Sequence, residues 1–363
     1  MDSSCHRKIQ LNEILFSTMQ VLRCKAKHFE QALQHCKYRI RFPTTFAQAS
    51  DDLYSPKHVL LYFCPCCMIR VEQDLFLSGE WRPPTGSPVF RHEVKYKSSS
   101  LQVLYETQRA GVISYAKCPL FTPYNARIFH QHPEMNESVR FNTELGLYER
   151  LLSEDLPADI LQLKFYTGQV HLPMINTQRL YAKPAFYEYI DAKTNPQEIW
   201  STLSSETRND ILYAREKAEI NNHPELRRLT SFLCKNSYYT RNRLHEDQLI
   251  QALSQSAIHG KVRMYTVSYD GQICSASVMI RSGSVWYYWL NHTDKDHNIR
   301  GAHLLLLWQC VQEALHDQCR FSFDGSSVPT IAKVFKSLGS TTEIIPVIMA
   351  CRRPWIKKII HWL

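Results

Sequence analysis

Residues 262–322 restrict what this chain can fold into more than any other stretch. Three β-rich runs follow one another there: VRMYTVSYDG, QICSASVMIRSG and SVWYYWLNHT. Asp270-Gly271, between the first two, is a hairpin turn signal. The helical run GAHLLLLWQCVQEALHD comes next, then a short strand FSFDG, a second helix PTIAKVFKSLG and a last strand TEIIPVIMACR. An antiparallel meander that feeds a strand–helix–strand crossover requires a mixed sheet with helices on its faces. The fold class expected is therefore α/β, with α+β character in the mixed sheet.

The remainder of the chain supplies related material. Residues 1–57 read as a basic helical segment, with Leu11, Ile14, Leu15, Met19 and Leu22 at three- and four-residue steps before Pro43. From His58 onward short β-rich runs alternate with turn clusters such as WRPPTGSP. NTELGLYERLLSEDL reads as a helix, and LQLKFYTG and AFYEYID read as strands. Asn195 ahead of Pro196 starts a helical region that divides near Leu203–Ser205. LRRLTSFLCKNSYY reads as one further helix. At 363 residues the chain is long enough for two ordinary domains. The boundaries expected are 58–191 for the first, 192–350 for the second, and 351–363 for a basic amphipathic tail.

Composition narrows the function classes. A formal net charge of +9 fits an anionic partner, such as nucleic acid, a phosphorylated ligand or an acidic membrane surface, and it also fits solubility alone. With only 11 glycines, several glycine-rich phosphate loops are disfavoured. The sequence has no run of about 18 apolar residues and no signal-peptide pattern at its start. Its 12 cysteines are scattered, which points to a reducing cytosol. The tail RRPWIKKIIHWL either lies on the anionic inner face of a membrane or packs as a terminal helix. Cys64, Cys66 and Cys67 lack the second ligand pair of a structural zinc site, and His130 and His132 do no better, so no metal site is expected.

Five ordered segments carry a resemblance: CPLFTPY (118–124), the helical region 186–220, SVWYYWLNHT (284–293), GAHLLLLWQCVQEAL (301–315) and FDGSSVPTIAKVFKSLGS (323–340). The series resembles the tandem GNAT-fold, FemABX-like acyltransferases, which include peptidoglycan-bridge aminoacyltransferases. It spans residues 58–350. The resemblance implies two tandem GNAT-like domains, each of the acyl-CoA N-acyltransferase fold. It also implies transfer of an acyl or acetyl group to an amine acceptor, a small molecule or a cell-wall precursor, without a covalent enzyme intermediate. The co-substrate would be acyl-CoA or aminoacyl-tRNA, with no bound cofactor. The broader superfamily holds a pyrophosphate in an R/Q-x-x-G-x-G/A loop at a helix N-terminus. This chain has His297-Asn298-Ile299-Arg300-Gly301-Ala302-His303 there, with small residues only at Gly301 and Ala302. The FemABX branch shares that departure, and its best-known members use aminoacyl-tRNA. A catalytically degenerate scaffold acting as a basic binding module is the remaining reading.

Candidate site residues follow from chemistry and from this resemblance. Asp324, at a strand end, suits a base for an attacking amine or a binder of its ammonium form. Together with Ser326 and Ser327 it also suits a cap for the helix that starts at Pro329. Tyr287 and Trp289 share one strand face, Tyr288 and Leu290 the other; one face is core and the other can line a cleft. Tyr287 and Asn291 are the candidates from this strand. Arg208 and Arg215 share a helix face that can grip phosphates, or can pair with Asp210, Glu216 and Glu219 in solvent. Arg300, Gly301 and His303 open a helix whose free N–H groups can hold an anion. Lys333 and Lys336 face outward, toward RNA phosphates or solvent. The catalytic pair expected is Asp324 and Tyr287. Arg208, Asn291, Arg300, Gly301, His303 and Ser326 are expected to bind substrate, in a cleft between the domains.

Overall fold

A computed structural model of the protein describes residues 75–76, 81, 83–125, 127–130, 135–165, 180–257, 260–324, 329–353 and 355–356. The expectations for the N-terminal segment, for Cys64, Cys66 and Cys67, for His132, for Ser326 and for most of the tail lie outside these residues.

The first half begins with an antiparallel meander of β1 (Val89–Tyr96), β2 (Ser99–Ala110) and β3 (Ile113–Lys117), with β4 (Arg127–His130) also paired to β2. Helix α1 (Glu137–Ser153) then crosses to β5 (Ile160–Lys164), which runs parallel to β3. Asn136 starts α1 by accepting a hydrogen bond from the Val139 N–H. β6 (Leu180–Ile190) leads into the second half.

There α2 (Pro196–Thr202) and α3 (Ser205–Lys217) are capped by Asn195 and Ser204, and they divide where the sequence predicts. After β7 (Glu219–Asn221) come α4 (Leu226–Leu233), α5 (Ser237–Arg241) and α6 (Glu246–Ala257). The single helix expected over 226–239 is two, because Asn236 accepts from the Tyr238 N–H and starts a new turn. A second meander, β8 (Val262–Tyr269), β9 (Gln272–Ser282) and β10 (Val285–Thr293), crosses through α7 (Ala302–His316) to β11 (Arg320–Ser322), which is parallel to β10. Helix α8 (Pro329–Ser337) and β12 (Thr341–Cys351) complete the order. Each half thus contains a meander, a helix and a strand parallel to the last meander strand.

All these strands join one mixed sheet, in the order β1-β2-β3-β5-β12-β6-β11-β10-β9-β8-β7 with β4 beside β2. β12 lies between β5 and β6, antiparallel to both. A proline in so central a strand is unusual, since it cannot donate to the ladder. The register sets Pro346 opposite Pro184, so two positions that lack an N–H face one another.

Buried side chains divide by sheet face in the second half. Ile211, Ala214, Leu306 and Trp308 pack with Trp286 and Tyr288. Leu229, Phe232, Tyr239 and Leu253 pack with Tyr287 and Trp289, together with Phe76, Trp81 and Tyr124 of the first half. Each large apolar side chain so buried contributes about 1.5–3 kcal/mol. Alternation predicts Leu290 beside Tyr288, yet Leu290 joins the Tyr287–Trp289 cluster. A bulge between Tyr288 and Leu290 inserts one residue and resets the alternation.

α8 is tied to the sheet by a buried carboxylate. Glu188 accepts from Ser340 Oγ at 2.6 Å and Thr342 Oγ1 at 2.7 Å, and it lies 3.0 Å from Lys336 Nζ. Burial opposes its ionisation, but these donors outweigh it and hold the carboxyl below its usual range. Lys336, expected to point outward, thus serves as an anchor. Among the described residues, no helix is long and apolar enough to cross a membrane, and no group of three or more His, Cys, Asp or Glu side chains is arranged to hold a metal.

Candidate active site

The crossover strands β10 and β11 pair only over Val285–Tyr287 and Arg320–Ser322. β10 runs on to Thr293, so the sheet opens between its C-terminal half and the end of β11. Tyr239 of α5 reaches the opened edge. Its hydroxyl accepts from the Asn291 N–H at 2.7 Å and donates to the Asn291 C=O at 2.8 Å. Both backbone groups that a further strand or an extended ligand would use at this residue are thereby satisfied by one side chain.

A cleft of about 870 Å³ lies at this end of β10, lined by Asn236, Asn291, His292, Asp294, Lys295 and His303, among others. Asp294 accepts backbone hydrogen bonds from Asp296 and His297, which fix the loop ahead of α7 and hold its carboxyl below the usual range. His303 projects from the first turn of α7 toward the Tyr288 ring, with ring centroids 6.4 Å apart. Desolvation lowers its pKa, so the ring is neutral at neutral pH. His292 is shifted the same way by burial and packs on Phe232. The Tyr288 hydroxyl is buried with no hydrogen-bond partner among the described residues. Burial pushes its pKa well above the usual value, and the nearby Cys310 and Tyr239 add to the shift. A buried hydroxyl without a partner costs free energy unless a ligand or water completes it.

The residues singled out from the sequence do not converge. Asn291 and His303 line the cleft. Tyr287 lies on the opposite sheet face, its ring packed 5.8 Å from Phe76 and 6.3 Å from Tyr124. Arg208 folds back to cap α2, donating to Ser201 O at 3.0 Å and Trp200 O at 3.4 Å. Arg300 pairs with Asp210 at 3.0 Å and lies over the Tyr213 ring. Gly301 has φ +81°, and a Cβ there would stand 2.0 Å from Asp210 O, so α3 backbone occupies the space. Ala302 N–H already donates to Ile299 O. Arg300 and Gly301 therefore build the α3–α7 junction. The Ala302 N–H is thus one donor of the helix start that is already engaged within the loop.

Asp324 stands across the opening, at the end of β11, with φ +46°. Strain of this kind in a residue that is not glycine persists only where surrounding structure enforces it. Lys164, at the end of β5, places Nζ 3.9 Å from Asp324 Oδ1 and 5.1 Å from the centroid of the Tyr187 ring. Asp324 Oδ1 is buried with no hydrogen-bond partner among the described residues. The neighbouring Cys118 thiol is pushed up to about 12, chiefly by burial. It donates to Thr122 O and is not a thiolate nucleophile.

The loop at 118–125 explains how these parts meet. Phe121 O accepts from Trp289 Nε1 at 2.7 Å, and the Phe121 ring meets Tyr239 edge-on at 5.7 Å. Leu120 N–H donates to Glu106, which also pairs with Lys117 at 3.3 Å. Sequence reasoning quoted this loop for its resemblance but assigned no role to it. It also missed Tyr239, Tyr288 and Lys164. The strand sequence YYWLN held a signal for Tyr288, since two adjacent tyrosines on opposite faces cannot both be read as the cleft residue.

Residues 207–326 match the family model described as an acetyltransferase (GNAT) domain. No curated protein matches the chain by sequence. Among solved structures, the crystal structure of FemX superposes with a TM-score of 0.53 at 10% identity, covering 76% of this chain and 91% of that one. A tandem GNAT protein from the clavulanic acid biosynthesis pathway gives a TM-score of 0.44 at 12% identity, covering 76% and 86%. L-PGS from Bacillus licheniformis gives 0.40 at 11% identity, covering 71% and 84%. At 10% identity the likeness to FemX is one of fold. The mixed α/β sheet and the GNAT-type fold expected from the sequence are what the protein has.

Proposed function

With residues 207–326 as a GNAT acetyltransferase domain for premise, we propose that the protein is an N-acyltransferase. It moves an acyl group from a donor directly to an amine. One observation carries this reading: the matched segment contains the meander, α7 and the opened β10–β11 pair, with the cleft at its mouth.

The chemistry follows from the groups at the opening. The amine nitrogen adds to the acyl carbonyl carbon, a C–N bond forms, and negative charge develops on the carbonyl oxygen. Collapse of that intermediate breaks the bond to the donor's sulfur or ribose oxygen, which leaves and takes up a proton. The amine surrenders one proton. His303 is neutral and half-buried, so it can take that proton without first losing one. The Tyr288 hydroxyl stays protonated and lacks an internal partner, which suits it to donate to the developing oxyanion. Asp324 stands on the β11 side of the opening, where the acceptor must approach.

The donor class has two readings. Acyl-CoA is the co-substrate of GNAT acetyltransferases in general. Aminoacyl-tRNA is favoured by a specific feature, the use of Arg300 and Gly301 in the α3–α7 junction, and by the net charge of +9. Purified protein incubated with a panel of primary amines, and with either acetyl-CoA or aminoacyl-tRNA, separates the two. Product by mass spectrometry with one donor identifies it. Binding to tRNA that weakens steeply with salt would support the second. Absence of product with both donors across the amine panel overturns the enzyme reading.

A further inference from the structure

We propose that Asp324 and Lys164 together form a binding site for a zwitterionic α-amino acid group on the acceptor. Asp324 takes its ammonium and Lys164 takes its carboxylate. This rests on the N-acyltransferase reading and names the acceptor class for it.

The pair is built like a receptor rather than a finished ion pair. The Nζ to Oδ1 separation of 3.9 Å is beyond hydrogen-bond range. Oδ1 nevertheless lies buried, with no hydrogen-bond partner among the described residues. Native structures rarely leave such an oxygen unsatisfied, and an unfilled ligand position accounts for it. Lys164 is steadied over the Tyr187 ring. Asp324 is held in a left-handed backbone conformation at φ +46°. The backbone of Lys164 is pinned from both sides by Asn125, which donates to its O at 3.1 Å and accepts from its N–H at 2.7 Å. Both charges are therefore presented from fixed positions. The second local pair, Lys117 with Glu106, is internally complete, because Glu106 also accepts from Leu120 N–H and from Gln108.

The sign of the charges selects the ligand. A simple amine meets Asp324 but is repelled by Lys164. A simple carboxylate meets Lys164 but is repelled by Asp324. A group carrying both charges on neighbouring atoms satisfies both, and it completes the unpartnered Oδ1. Asp324 also lies just beyond β11, the strand whose separation from β10 forms the opening.

Thermal unfolding of the full chain with L-alanine, ethylamine or propionate as probes tests this. L-alanine at millimolar concentration should raise the unfolding temperature in a dose-dependent way, and the other two should not. D324N and K164M should each abolish the rise; K164R should keep part of it. Ligand-observed NMR of the L-alanine methyl signal with unaltered protein gives a second readout, independent of whether the variants fold. No L-alanine effect by either method, an equal effect of ethylamine, or an effect that persists in both variants would overturn the assignment. These measurements contain no acyl donor, so they test the site alone; L-alanine binding together with absence of product from either acyl donor would count against the enzyme reading and leave the site standing. Transfer to an uncharged-side amine without L-alanine binding counts against this site alone.

Discussion

The two halves of the molecule make the same construction and finish it differently. In each, a meander strand crosses through a helix to a parallel partner, and the two strands then separate. Beyond the β3–β5 pair the gap is closed by Asn125, fully buried, which bonds both backbone groups of Lys164 and donates to Leu104 O at 3.2 Å. Beyond the β10–β11 pair the gap is met by the Tyr239 hydroxyl alone, at one residue. Asn125 offers its backbone N–H and its side-chain carbonyl oxygen to Lys164 in fixed positions, and together they reproduce a strand partner. A phenol on a five-residue helix satisfies the N–H and C=O of one residue through a single hydroxyl. The difference separates a gap closed around Lys164 from one left open as a cleft.

Four changes sharpen or break that contrast, taken from the largest expected effect to the smallest. Y288F should lower kcat by about 100-fold, the usual cost of one oxyanion donor, while thermal stability stays close to that of the unaltered protein. A drop confined to KM would assign Tyr288 to binding instead. N125A leaves the Lys164 N–H and Leu104 O buried without partners and should cost about 3 kcal/mol in urea unfolding, and in the folded fraction it should raise KM for the acceptor, because Lys164 loses one of its anchors. Y239F strands both the N–H and the C=O of Asn291 and should cost about 1–2 kcal/mol. It should also lower KM for a donor that pairs with the β10 edge, and an unchanged KM would show that the hydroxyl is a strut and not a plug. R300A removes a largely exposed pair with Asp210 and should shift unfolding by no more than about 1 kcal/mol. A large rise in donor KM for that variant would instead place a phosphate at Arg300.

Acidity offers a further check on the same side of the comparison. The folded pKa of His303 is depressed below its unfolded value. As pH falls below about 6.5 the unfolded chain takes up this proton first, so the contribution to stability declines toward acid. The acid limb of kcat/KM should likewise lie below 6.5 and disappear in H303Q.

Strand and helix order was legible because local signals agreed with one another. Asp270-Gly271, the Asn195-Pro196 helix start, the division near Leu203–Ser205 and the run GAHLLLLWQCVQEALHD each marked an element that the structure contains. Alternation failed at Trp289, where the bulge shifts every later residue of β10. The splitting of α4 from α5 turned on one asparagine read as a helix residue and acting as a cap. The site was harder, because its parts are far apart in the chain. Arg208 and Arg300 were chosen for charge, and both satisfy neighbouring backbone or carboxylate groups. Tyr239 and Lys164 matter through contacts 52 and 160 residues away, and no local pattern announces such pairings.

The place of β12 has a consequence for how this protein comes into being. It is the last strand among the described residues, yet it fills the slot between β5 and β6. During synthesis, both flanking strands emerge well before the segment that joins them, and each waits with an open edge. The first half cannot zip to the second as it leaves the ribosome. Completion of the sheet is a late, long-range event, of the kind that slows folding and exposes strand edges to other chains. A chain ending near residue 340 would hold the β10–α7–β11 crossover and a divided sheet. Its survival in the cell would then depend on whatever shields those two edges.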